Sequence, residues 1–168
     1  MKLALLILLL LTVIVYEGYR LWKRRHDYAV LKAMVHATTD AYAFLIDRKF
    51  HVKETNFYEL NENIADDQPY VLGNVIHCQT ACDEGLCGTG MACKECPIRL
   101  VLKNAFKLKR DFSDIVAGMS FYDADHQLQE TDVNVSGRLV HVGKEPHFFI
   151  TVRTSTAAAD PDPSATTL

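Results

Sequence analysis

Outside one nineteen-residue stretch this chain has no cysteine at all; its five cysteines all lie between Cys78 and Cys96, in "CQTACDEGLCGTGMACKEC". Other signals are missing too. There is no Gly-x-Ser-x-Gly elbow, no phosphate-binding Walker loop and no Gly-x-Gly-x-x-Gly fingerprint, so the common hydrolase and nucleotide folds leave no mark. "GLCGTGMAC" contains Gly-x-Gly but follows no strand, and we discount a nucleotide site there. Excess positive charge is also lacking. The 168 residues carry a formal net charge of −3. Residues 1–31 hold five Lys and Arg against two Asp and Glu, a balance of +3, which leaves −6 for the rest. A mildly acidic domain without a basic face is a poor nucleic-acid binder.

What is present begins with a long apolar run. "LALLILLLLTVIVY", Leu3 to Tyr16, has no charge in fourteen residues. Extended to Trp22 it reaches a membrane span of roughly 20 residues, with Arg20 able to snorkel and Tyr16, Tyr19 and Trp22 suited to the interface. A cleaved signal peptide would need a small-x-small site after the run, and "YEGYRLWKRRHDY" offers only Gly18. A lipoprotein signal would need a cysteine near residue 20, and none is there. Arg20, Lys23, Arg24 and Arg25 follow the span, and Lys and Arg remain on the cytoplasmic side. The expectation is a retained single-pass anchor over 1–22, a juxtamembrane helix or linker over 23–37, and a main domain facing the cytoplasm. The basic cluster should also meet anionic headgroups.

The pattern beyond the anchor reads as α+β. "AYAFLIDRKFHVKETN" predicts a hairpin: a compact apolar run, a turn at "DRK", then alternation. Residues 56–77 lack a clear period and predict short helices and loops. A long helix is predicted from Pro97, because proline suits the first helical position. Its apolar stripe is Ile98, Val101, Leu102, Ala105, Phe106 and Leu108, with Arg99, Lys103, Lys107 and Lys109 toward water. "FSDIVAGMSFY", "LQETDVNVSGRLVHV" and "PHFFITVRT" predict three further strands. One five-stranded antiparallel sheet with helices on one face is the expected architecture. The tail 155–168 is small, polar and proline-containing, and reads as disordered.

The cysteines are separated by three, four, five and two residues. Cys93 and Cys96 form a C-x2-C pair able to reach one metal. Cys87 lies upstream through glycines that let the backbone turn back, and Cys78 ends an apolar run. Four thiolates suit Zn2+ or an iron–sulfur cluster, and the spacing does not choose between them. The expected ligands are Cys78, Cys87, Cys93 and Cys96, with Cys82 or His77 as alternates. A cytoplasmic domain keeps thiols reduced, and an odd count of five disfavours paired disulfides. Disulfide or free-thiol chemistry stays the rival. The scattered histidines His36, His51, His141 and His147 read as surface or strand residues.

Two opening strands, a short-helix region, a long connecting helix and a three-stranded meander, over roughly 38–154, resemble a PAS domain. "GLCGTGMACKECPIR" resembles the cysteine-bearing segment before the long helix in PAS input modules of bacterial membrane-bound sensor histidine kinases. "NVIHCQ" only faintly echoes a flavin-adduct site and lacks the accompanying arginine. The resemblance implies a non-enzymatic sensory or interaction module at the bacterial cytoplasmic membrane. It implies output through a signalling partner such as a kinase, and pairing with a second copy. A structural zinc scaffold for partner proteins is the alternative. A membrane-tethered thiol oxidoreductase using Cys93 and Cys96 is a third reading, disfavoured because its pair would follow an early strand of a parallel-containing sheet.

Overall fold

The computed structural model describes residues 2–61 and 70–154. The expected tail 155–168 and part of the 56–77 region of short helices and loops lie outside them. Eleven elements follow in order: α1 (Lys2–Ala37), β1 (Tyr42–Ile46), β2 (Val52–Thr55), α2 (Phe57–Leu60), α3 (Leu72–Val75), α4 (Gln79–Glu84), a 3-10 turn (Ala92–Lys94), α5 (Pro97–Leu108), β3 (Phe112–Tyr122), β4 (Leu128–Val142) and β5 (Glu145–Thr154). The strands form one antiparallel sheet in the order β2-β1-β5-β4-β3.

Strand alternation divides the core in two. Phe44 and Ile46 of β1, Val133 and Val135 of β4, and Phe148, Ile150 and Val152 of β5 all face α2–α5. Register holds them together, with Phe44 opposite Ile150 and Ile46 opposite Phe148. Phe106 of α5 meets Phe148 edge-on, with ring centroids 4.6 Å apart. The opposite parity, Ala43, Leu45 and Val142, packs against Leu31 and Val35 of α1. The predicted layer of helices on one face is therefore present, and the end of α1 adds a second cover on the other. Cover on both faces explains why "AFLI" is a continuous apolar run rather than an alternating one.

Helix α1 is continuous through both the expected anchor and the juxtamembrane segment. Its 36 residues correspond to about 54 Å at the α-helical rise. By length and composition it can cross a membrane, and it is the one such helix among the described residues. Near its middle it meets the β4–β5 turn, where the Gly143 N–H donates to Asp27 Oδ2 at 3.3 Å and Arg24 lies 3.5 Å from Glu145.

Glu54 on β2 fastens the end of α1. Tyr28 O–H donates to its carboxylate, Lys32 Nζ lies 3.2 Å away, and His36 Nε2 lies at 3.4 Å. Burial pushes the Glu54 carboxyl up, but the hydrogen bonds from Tyr28, Lys32 and His36 outweigh it and hold it below the ordinary value. Desolvation and the Glu54 contact raise Tyr28 to about 12. A depressed carboxylate contributes stability above its unfolded pKa of roughly 4.3, lost as pH falls through the lower folded value. Glu54→Gln is therefore expected to increase amide exchange in residues 28–36 at pH 7. The difference from the wild type should shrink as pH falls below the unfolded value of roughly 4.3. A difference unchanged across that range would mean the Glu54 charge does not hold α1.

Helix α5 starts at Pro97 as predicted, with Cys96 as N-cap, and ends at Lys109 in the left-handed conformation. Two of its residues depart from expectation. Leu108, the last residue of α5, is exposed rather than part of the buried stripe. Arg99 is half-buried rather than fully exposed. It turns back toward the cysteine segment.

Candidate metal centre

The cysteine segment folds as two short helical turns joined by glycine bends between the sheet's inner face and α5. Cys78 is the N-cap of α4 and is paired to Phe121 on β3 by an isolated bridge. Cys87 lies in the following turn, flanked by Gly85 and Gly88, both with φ of +98°. Cys93 is in the 3-10 turn and is buried. Cys96 caps α5.

These four cysteines line one cavity of about 240 Å³. Phe50, Leu72, Ile76, Ile98, Leu102 and Met119 supply most of its apolar wall. Cys82 lies outside on the exposed face of α4. His77, in the left-handed conformation before Cys78, does not line the cavity either. The four thiols expected as ligands therefore line one cavity, and the alternates Cys82 and His77 do not.

Neighbouring backbone orders the sulfurs. The Gly88 N–H donates to Cys93 Sγ at 3.2 Å. Asn74 Oδ1 accepts from the Cys87 N–H at 2.9 Å while its Nδ2 donates to Gly85 O at 2.8 Å, which holds the bend on α3. Gly73 makes room: a Cβ there would stand 2.6 Å from Cys87 Sγ. Burial pushes the Cys78 thiol up, and the neighbouring Cys96 and Cys93 push the same way against the backbone amides of Ala81 and Thr80. Burial likewise raises Cys87, opposed by the Gly73 amide and the Arg99 guanidinium.

Three participants escaped the sequence reading. Phe50, Gly73 and Arg99 reach the cysteines only through tertiary contact. A signal existed for one of them: "PIRL" places Arg99 within the first turn after Cys96, on the side that returns to Cys87.

A single-site variant of RsLOV matches over 81% of this chain and 72% of its own, at TM-score 0.51 and 13% identity. The chain has the PAS/LOV fold. The LOV protein of Rhodobacter sphaeroides matches over 80% and 70% of the two chains, at TM-score 0.47 and 14% identity. A PAS domain from Desulfitobacterium hafniense matches over 70% and 94%, at 0.43 and 11%. At such identities the likeness extends to the fold alone. No family model and no curated protein sequence matches the chain.

Within this PAS fold the cysteine cavity lies between α3, α4, the 3-10 turn and the start of α5, against β3. Its lining offers four thiols, an apolar wall and N–H groups directed at sulfur. Among the described residues, no three or more Cys, His, Asp or Glu side chains stand close enough to hold one metal ion. One tetrahedral zinc, with Zn–S near 2.3 Å, would need its sulfurs within roughly 4 Å of one another. A polynuclear cluster distributes its thiolates over several irons and fills a larger space.

Proposed function

We propose that this chain is a membrane-anchored PAS sensor module. In this reading it holds an iron–sulfur cluster on Cys78, Cys87, Cys93 and Cys96 and passes redox or oxygen state to a partner protein. The observation that carries it is that those four cysteines all line one cavity of about 240 Å³. The cluster would supply reversible electron acceptance and sensitivity to oxygen. Four thiolates would suit zinc as well as a cluster, and the metal assay below separates the two. Thiol oxidoreductase chemistry is disfavoured by the burial of Cys93, which keeps its sulfur from a protein substrate.

The chain's own residues give the signal a route. Cys96 caps α5, and Leu102 and Phe106 of that helix pack into the core against β5. Loosening the cysteine segment would free the first turn of α5 and alter its seat on the sheet. The opposite face of the sheet carries α1, so the sheet connects the site to the anchor helix. The basic residues after the span orient the domain toward the cytoplasm of a bacterial inner membrane, where the output would reach a kinase or a second copy of the chain.

The test uses the full chain, extracted in detergent and purified without oxygen. Iron with matching acid-labile sulfide, and visible absorbance bleached by air, is the expected result. One zinc per chain, colourless and indifferent to air, would replace the sensor with a structural zinc scaffold. Metal-free protein with paired thiols would sink the metal reading and put the domain's side of the membrane back in question.

A further inference from the structure

The turn between β4 and β5 rests on α1 just past the apolar run. The Gly143 N–H donates to Asp27 Oδ2 at 3.3 Å, and a Cβ on Gly143 would stand 3.6 Å from the Arg24 side chain. Further along the same unbroken helix, Leu31 and Val35 seat it on Leu45 and Val142 of the sheet. The position of α1 therefore fixes the position of the turn. Between the two lies a cleft of about 280 Å³, walled on the helix side from Tyr16 to Arg24. Four cations line it, Arg20, Lys23, Arg24 and Lys144, against two carboxylates. Both carboxylates are taken: Glu17 lies 2.9 Å from Arg20, and Glu145 lies 3.5 Å from Arg24. Lys23 on the helix and Lys144 on the turn have no ion-pair partner among the described residues. Two like charges on opposite walls of one cleft repel unless an anion lies between them.

We propose that this cleft seats the anionic headgroup of a bilayer phospholipid between Lys23 and Lys144. The inference rests on the membrane-anchored reading above. Tyr16, Tyr19 and Trp22 suit the interface, and the stretch from Tyr16 to Arg24 rises about 12 Å along α1. A headgroup layer is about 5–8 Å deep beside a hydrocarbon core of about 30 Å, so the cleft opens into it. The basic run after the span lies at that depth whatever the rest of the chain does. Lys144 lies there only because the sheet is seated on α1. Its charge ties the tip of the β4–β5 turn, and with it the domain, to the membrane surface. The bilayer holds such anions permanently at that depth, which favours a lipid over a free phosphate as the occupant.

The experiment reconstitutes the full chain in phosphatidylcholine bilayers holding a trace of spin-labelled phosphatidylglycerol or spin-labelled phosphatidylcholine, and reads the motionally restricted fraction of each. The wild type is expected to select phosphatidylglycerol. Lys144→Gln should lower that selectivity about fivefold, the contribution of one cation near the surface, and Lys144→Arg should keep it. Lys103→Gln, on the exposed side of α5 and across the sheet from α1, should leave it unchanged. Wild-type selectivity in Lys144→Gln, with a loss in Lys23→Gln, would overturn the proposal and leave headgroup contact to the helix alone. Loss of selectivity on adding inorganic phosphate at constant ionic strength would make a free anion the occupant and overturn it as well. A wild-type chain that stays with the bilayer through an alkaline carbonate wash yet selects no phosphatidylglycerol would overturn this inference and leave the anchor standing. A chain removed by that wash would overturn both.

Discussion

With the proposed cluster in the cavity, Cys93→Ser is expected to lose iron and sulfide, while Cys82→Ser keeps both at wild-type level. The contrast follows from placement. Cys93 is the most buried of the five thiols, accepts the Gly88 N–H and lines the cavity with Cys78, Cys87 and Cys96. Cys82 is exposed on α4 and lines none of it. Serine is nearly isosteric, but its hydroxyl stays protonated where a thiol can ionise, so it loses the soft anionic ligand with little change in packing. Iron, sulfide and visible absorbance of the anaerobically purified chain check it. Equal loss in Cys82→Ser would mean the ligand set includes Cys82. Undiminished iron in Cys93→Ser would mean the cavity is not where metal binds.

Asn56→Ala is expected to destabilise the domain by about 3–5 kcal/mol, from several buried partners losing about 1–3 kcal/mol each. Asn56 is 1% exposed. Its Oδ1 accepts the Ala43 N–H at 2.7 Å, and its Nδ2 donates to the carbonyls of Thr38 and Ala41 at 2.7 and 3.0 Å. One amide thereby joins the end of α1, the first strand and the entry to α2. Alanine leaves an N–H and two carbonyls without partners, and water reaches them poorly. Asn61→Ala is the control. It gives up one bond to Phe57 O and one from Tyr42 in a half-buried place, and should cost about 1 kcal/mol. Urea unfolding of the detergent-solubilised chains, followed by far-UV circular dichroism, measures both. Similar midpoints for the two variants would show that the Asn56 network is not what fixes this corner.

The strands and the start of α5 were legible because their signals are local. Alternation in "TDVNVSGRLVHV" and the turn at Gly143 belong to neighbouring positions, and β4 and β5 lie where that pattern puts them, although Pro146, which also reads as a turn residue, pairs with His141 inside β5. Pro97 announced the first turn of α5 for the same reason. Sequence failed where a face had to be assigned by a distant partner. Arg99 has the spacing of a solvent-facing residue, yet Phe50 and Cys87 offer its flat cation a ring and a sulfur, and it turns inward. His147 shows the same limit. It reads as an ordinary strand histidine but is buried, with Nδ1 3.1 Å from Glu145 O.

Taken alone, the sequence determined that there would be one α+β domain behind a long apolar helix, and that every thiol would lie just before α5. Hydrophobic period and proline geometry act over a few residues, so they are written in the chain itself. The tertiary structure alone decided which thiols share a cavity, that Arg99 and Gly73 complete its wall, and that the end of α1 covers the far face of the sheet. Those facts depend on loop closure and packing between elements far apart along the chain, and no local period encodes a distance across a sheet.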